Sequence, residues 1–296
     1  MSFSFVRTRY WWFALSGALI VASIAAIAVF GLKLSIDFTG GSLMEMRFAD
    51  PQPSTTAVAQ TLEKAGFPGA VVQTTGQGTQ MIRLESLDET KHQAALKALG
   101  AAYPKAQEEQ FNSIGPVVGS ELRNTSVVAV VVTLVLIGLY IAWAFRKVTH
   151  PVSSWKYGAL VVVTAAHDVI IPLGVFAVIS RTQGWEVGTA FVAAVLTILG
   201  YSISDTVVVF DRTRENLSHR TGEPFAEVVD QSIRQTFVRS VNTSVATMLV
   251  LLAILVFGGP TTAPFALALF IGVLVGTYSS IFIASPLLVE WERRQR

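Results

Sequence analysis

The chain has no cysteine. That absence excludes disulfides, thiolate metal sites and thiol nucleophiles, and leaves the redox compartment open. Charge is scarce too: 14% of residues are Asp, Glu, Lys or Arg, against about 25% in a soluble domain. The net charge of +2 comes without any run of Lys or Arg, so nothing points to nucleic acid. Neither a GxxxxGK(S/T) phosphate loop nor GxGxxG after a strand occurs, and no nucleophile–base constellation is visible. The sequence therefore predicts no enzyme, no cofactor and no metal. Work done by such a protein draws on another subunit's nucleotide or on an ion gradient.

What fills the chain instead is apolar surface, with 52% hydrophobic residues and a mean hydropathy of +0.54. Six runs are long enough to span a bilayer at about 20 residues each, near 11–32, 126–145, 157–179, 188–210, 241–257 and 264–289. The first has no small-residue cleavage site and reads as an uncleaved anchor. Trp11, Trp12, Trp143, Trp155, Trp185 and Trp291 stand near the expected ends, as an aromatic belt does. Arg7, Arg9, Arg146, Lys147, Lys156, Arg212, Arg214, Arg220, Arg234, Arg239, Arg293, Arg294 and Arg296 fall on one side, while the short loops opposite offer Arg181 alone. The positive-inside rule then places both termini in the cytoplasm.

That orientation makes 1–32 a cytoplasmic N-terminus and first span, 33–123 a domain outside the cytoplasm, and 124–296 the remaining five spans. Within the external domain, 43–48 alternates as a strand, and 55–65 is a helix closed by Gly66. Strands 70–75 and 79–85 join through Gly76–Gly78, 88–101 is helical, and 106–114 is a last strand. The order β-α-β-β-α-β predicts a ferredoxin-like α+β fold, which by itself names no activity. The cytoplasmic loop 211–239 is polar, then helical after Pro224, with Phe225, Val228, Val229, Ile233 and Phe237 on one face. That face either packs on the bundle or the membrane interface, or docks a cytoplasmic partner.

Asp205 lies inside the fourth apolar run. An ionisable side chain at the bilayer centre costs about 2.5–3.5 kcal/mol on insertion scales, and such groups mark ion or proton pathways. Thr197, Tyr201, Ser204, Asp205 and Val208 share or border one helical face, and Gly200 is expected to admit a close neighbour. On the fifth run Ser240, Thr243, Ser244 and Thr247 recur at helical spacing, with Asn242 beside them and Arg239 at the entrance. Together they predict a hydrated seam in which Arg239 is a switchable counter-charge for Asp205. The plainer reading of the Ser and Thr residues is helix–helix hydrogen bonding.

His167 and Asp168 form a second intramembrane pair, with Asp168 serving either a proton relay or a structural lock. Neighbours on a helix point about 100° apart, so the two are not expected to form a dyad by themselves. His92, His150 and His219 lie outside the spans and supply no further metal ligands. Gly272, Gly276 and Ser280 make a small-residue face suited to close packing.

Four blocks carry a family resemblance. They are Ile36-Asp37-Phe38-Thr39-Gly40-Gly41, His167-Asp168-Val169, the run from Gly200-Tyr201-Ser202-Ile203-Ser204-Asp205 to Asp211-Arg212, and Arg239-Ser240-Val241-Asn242-Thr243-Ser244. They resemble the SecD/SecF family, in its SecF branch, which is related to RND-type transporters. The resemblance implies a bacterial inner-membrane subunit of Sec protein export that pairs with SecD and associates with the SecYEG channel, SecA and YajC. It implies use of the proton motive force in late translocation of an unfolded polypeptide. The family's membrane carboxylate lands on Asp205 and its basic partner on Arg239, with Ser204 where many relatives have Asn. Two rival readings remain open: half of an RND-type exporter, and a passive scaffold for the channel. So does the coupling ion, H⁺ or Na⁺.

Overall fold

The structure, a computed structural model of the chain, describes residues 4–75, 78–146, 151–220, 222–259 and 262–294. Of the residues singled out above, Gly76, Lys147, His150 and Arg296 lie outside these. The chain forms two compact units, one from Met1–Lys33 with Val128–Arg296 and the other from Leu34–Val127.

The first unit is a helical bundle, and the described residues hold six helices long and apolar enough to cross a membrane. They are α1 (Arg9–Phe30), and α5 (Pro116–Ala144) after three short helices named below, then α6 (Ser154–Gln183), α7 (Thr189–His219), α8 (Phe225–Phe257) and a composite last span. That span joins α9 (Ala263–Ser279) to α10 (Ser285–Arg293) through one π-helical turn, Ser280–Ala284. The protein is a multi-pass membrane protein.

Several helices outrun their apolar cores. The fourth stays helical through Asp211–His219, where a polar loop was expected, and the fifth begins at Phe225 as one helix with its apolar part. Intrahelical hydrogen bonds satisfy the backbone in water as in lipid, so hydropathy does not mark where these helices stop. Phe225, Val229 and Ile233 are buried among Phe5, Val6, Phe210, Leu288 and Val289, with Phe237 packed against them. The apolar face after Pro224 therefore belongs to the bundle's own core. Asp230 ties the N-terminal segment down, accepting from Ser4 Oγ (2.9 Å) and the Val6 amide (3.1 Å).

Burial in this unit inverts the soluble pattern. The buried residues of α1 are Ser16 and Ser23, while Leu15, Leu19, Val21 and Ile24 are exposed. Lipid solvates leucine as well as a protein core does, so helices associate through small and polar residues that approach closely and bond.

In the second unit, a short α2 (Ile36–Thr39) precedes β1 (Gly41–Arg47), α3 (Thr55–Lys64), β2 (Val71–Thr74), β3 (Thr79–Leu84), α4 (Glu89–Ala102) and β4 (Gln107–Ile114). The sheet is antiparallel throughout, in the order β2-β3-β1-β4. Met44, Met46, Ile82 and Leu84 on one sheet face meet Val58 and Leu62 of α3 and Ala95 and Leu99 of α4 in a single core. Ser54 and Asp88 cap the two helices, accepting from the Ala57 and Lys91 amides. Each such cap is worth about 1 kcal/mol.

Candidate functional site: two carboxylates in the bundle

Asp205 and Asp168 occupy different settings. Asp205 is half-buried on α7. Its Oδ1 accepts from Ser240 Oγ of α8 at 2.9 Å, while Oδ2 is buried without a hydrogen-bond partner. Arg239, next to Ser240 in the chain, is exposed and lies within Coulombic reach of Asp205. Among the described residues it makes no ion pair with that carboxylate. An orphaned carboxylate oxygen inside a bilayer costs several kcal/mol unless protonated or given a partner. The arrangement leaves room for either.

One turn earlier on α7, Tyr201 donates to Ser244 Oγ of α8 at 3.1 Å, and Ser244 bonds Thr277 Oγ1 of α9 at 2.5 Å. Ser240 and Ser244, four residues apart, thus bond α7 near Asp205, while Asn216 joins α7 to Ser232 and Gln235 of α8 further along. The rest of the expected seam points elsewhere. Ser204, Asn242 and Thr243 are exposed, and the Thr243 and Thr247 hydroxyls bond carbonyls of their own helix. Gly200 has nothing within 4 Å of where a Cβ would stand, so it admits no close neighbour. It lies on the open side of α7 because Tyr201 and Ser202 take the sides facing other helices.

Asp168 is fully enclosed on α6. Ser279 Oγ of α9 donates to its Oδ2 at 2.7 Å, Ser202 Oγ of α7 donates to the same atom, and His167 Nδ1 lies 2.8 Å from Oδ1. The far ring nitrogen of His167 bonds Ser16 Oγ of α1. The pair therefore does form a hydrogen-bonded dyad, against the expectation from helical spacing. Serines from three other helices fix both side chains in rotamers that bring them together. Beside this knot, Thr206 Oγ1 bonds Ser280 Oγ at 2.8 Å at the start of the π-helical turn. Such turns re-aim groups within a helix and are frequent at functional sites.

Ser16 and Ser279 carry no motif in the sequence, and Ser202, though part of the block before Asp205, gives no sign there of a bond to Asp168. The one available signal was Ser16 and Ser23 on one face of an otherwise apolar helix. The small-residue face of α9 has a clear role. A Cβ on Gly272 would fall 2.2 Å from Ile198 Cδ1, and one on Gly276 would fall 2.8 Å from Ser202 Cβ. Both glycines let α9 press against α7. Among the described residues no group of three or more His, Asp or Glu side chains is arranged to hold a metal ion.

Comparisons with known proteins agree on one assignment. The family described as "Protein export membrane protein SecD/SecF, C-terminal" matches residues 94–294, and the "SecD/SecF GG Motif" matches 25–52. A protein translocase subunit SecF from Thermobaculum terrenum is 42% identical over 98% of this chain and 94% of its own length. Another from Anaerolinea thermophila is 38% identical over 96% of this chain and 92% of its own. The crystal structure of SecDF from Thermus thermophilus, titled a translocon-associated membrane protein, superposes with a TM-score of 0.85 at 38% identity. It covers 99% of this chain, which spans 39% of that longer one. On these matches the chain belongs to the SecD/SecF family of protein-export membrane proteins, on its SecF side.

Proposed function

We propose that this protein is a SecF-type subunit of the protein-export translocase, pairs with a SecD bundle, and couples the proton motive force to late steps of polypeptide translocation. The relatives' names as translocase subunits, and a SecDF relative that joins SecD and SecF in one chain, support the export role and the SecD pairing. Association with SecYEG, SecA and YajC follows from the family resemblance. The asymmetry of Arg and Lys supports a cytoplasmic location for both termini. The segment of roughly 33–123 then faces away from the cytoplasm, ahead of five further spans. Its β-α-β-β-α-β order and β2-β3-β1-β4 sheet support reading it as ferredoxin-like.

The observation that carries the mechanism is the unpartnered Oδ2 of Asp205 within reach of the unpaired charge of Arg239. In this reading Asp205 takes up a proton when Arg239 is withdrawn and gives it up when Arg239 closes on it. Tyr201 and Ser240 hold the carboxylate's helix, Ser204, Asn242, Thr243 and Thr247 stand outside the contact as supporting polar groups, and Asp168 is the second carboxylate of the relay. One charge crossing a 100 mV potential is worth about 2.3 kcal/mol. That biases a two-state rocking of bundles by roughly fifty-fold, enough to make release of a bound chain directional.

The test is export of a secreted reporter in cells whose only copy carries Asp205→Asn, with co-purification of the SecD partner checked in parallel. Lost export with the complex intact is the expected result. Normal export would leave a scaffold role and end the relay.

A further inference from the structure

Outside the bundle, one titratable side chain is buried between two carboxylates. His92 of α4 is 6% exposed. Its Nε2 lies 2.7 Å from Glu108 Oε1 of β4, and its Nδ1 lies 3.6 Å from Glu89 Oε2 one turn back on α4. The imidazole stacks flat on Phe111 of β4, with centroids 3.6 Å apart and planes 5° apart. Nδ1 is buried and makes no hydrogen bond.

A neutral imidazole uses this setting poorly. It has one N–H, which serves Glu108, and it then turns the lone pair of Nδ1 toward a second carboxylate. The imidazolium uses all of it: Nε2–H faces Glu108, Nδ1–H faces Glu89, and the cation lies over an aromatic face. Neighbouring elements supply no competing cation. Arg47 of β1 is paired with Glu109 of β4, and Glu63 and Lys64 of α3 are exposed, with no ion pair to His92. Among the described residues, Glu89 and Glu108 are the charged groups within ion-pair distance of the ring.

We propose that His92, Glu108 and Glu89 form an acid-responsive latch that tightens α4 onto β4 when the compartment around this domain is acidified. The role rests on the reading that this domain faces away from the cytoplasm, the side that a proton gradient acidifies. The latch would then let this domain sense the same gradient that the bundle uses.

The sign follows from linkage. Protonation of the ring adds ion pairs to Glu108 and Glu89 only in the folded clasp, so acid tightens the latch and alkali releases it. A hydrogen bond from Gln93, and then the nearby imidazole, outweigh desolvation and hold the Glu89 carboxyl below the usual carboxylate range, so it stays ionised on the acid side of the latch.

The experiment is hydrogen exchange by mass spectrometry on the full chain in lipid nanodiscs, at about pH 5.5 and about pH 8, after correction for intrinsic rates. In the wild type, protection of 89–102 and 107–114 rises several-fold at the acid pH. His92→Gln keeps a donor for Glu108 but cannot charge, and its profile is expected to be flat while matching the wild type at the alkaline pH. Glu108→Gln, which retains the histidine, is expected to lose most of the acid gain and serves alone if His92→Gln does not fold. A flat wild-type profile, or an unchanged acid gain in either variant, overturns the latch. None of these readouts involves export, so the latch can fail while the translocase reading stands, and the reverse.

Discussion

Gly40 shows how much a single residue can carry in this chain. It has a φ of +70°, in the left-handed region that side chains avoid, and a Cβ there would fall 2.7 Å from Pro116 Cα. A Cβ on Gly119 would in turn fall 2.7 Å from the Gly40 amide nitrogen. The Gly40-Gly41 step thus lets the chain turn from α2 into β1 while lying directly against the first turn of α5. A backbone at φ +70° and ψ 170° is essentially confined to glycine and costs an L-residue about 1–3 kcal/mol. The overlap here is with backbone, which cannot rotate away, so Gly40→Ala is expected to destabilise this unit by more than about 2 kcal/mol. Gly100→Ala is the control. Gly100 sits inside α4 with open space where a Cβ would go, and alanine there is expected to stabilise by about 0.5–1 kcal/mol. Chemical denaturation of the full chain, followed by exchange in 41–114, checks both.

The same scale explains what could be read in advance. Asp205 was legible because a lone carboxylate in an apolar run has no cheap structural explanation. The Asp168 knot was not, because its serines come from α1, α7 and α9 and are ordinary in each.

At the scale of elements, hydropathy located every span, since about 20 apolar residues in a row leave few alternatives. Boundaries escaped it wherever a helix continues into water, as α7 and α8 do on either side of the short connection around Gly222. It also gave no sign of the π-helical turn. Side-chain hydroxyls cluster there: Ser280 donates to the Gly276 carbonyl at 2.8 Å, and Ser285 donates to the Ser280 carbonyl at 3.1 Å. The joint lies against α7, whose Ser202 reaches Asp168. Gly276→Ala is therefore expected to push α9 from α7 and loosen both serine contacts to Asp168, at about 1–3 kcal/mol. Gly200→Ala, inside the same α7 with open space where a Cβ would go, is expected to cost nothing and to stabilise slightly, as at Gly100. Thermal denaturation of the purified protein separates the two, and equal effects would mean that the α7–α9 contact is more compliant than its packing indicates.

For the whole molecule, the exposed faces of the bundle differ in kind. Beyond Val127, α5 presents Val128, Val131, Val132, Val135, Leu136 and Leu139, a surface suited to lipid. The face of α7 and α8 beside Asp205 exposes Ser204, Arg239, Asn242 and Thr243. Polar groups, and above all a guanidinium, are costly against hydrocarbon, so this second face requires cover from protein or water. In the proposed assembly the cover is the SecD bundle. The lack of cysteine makes the idea directly testable, because each introduced thiol is the only one in the chain. Asn242→Cys is expected to form disulfide or short bismaleimide cross-links to cysteines in the partner's spans within native membranes. Val135→Cys, on the lipid-suited face, is expected to give none. The opposite pattern would move the partner to α5 and leave Arg239 exposed to lipid, an arrangement with no compensating interaction among the described residues.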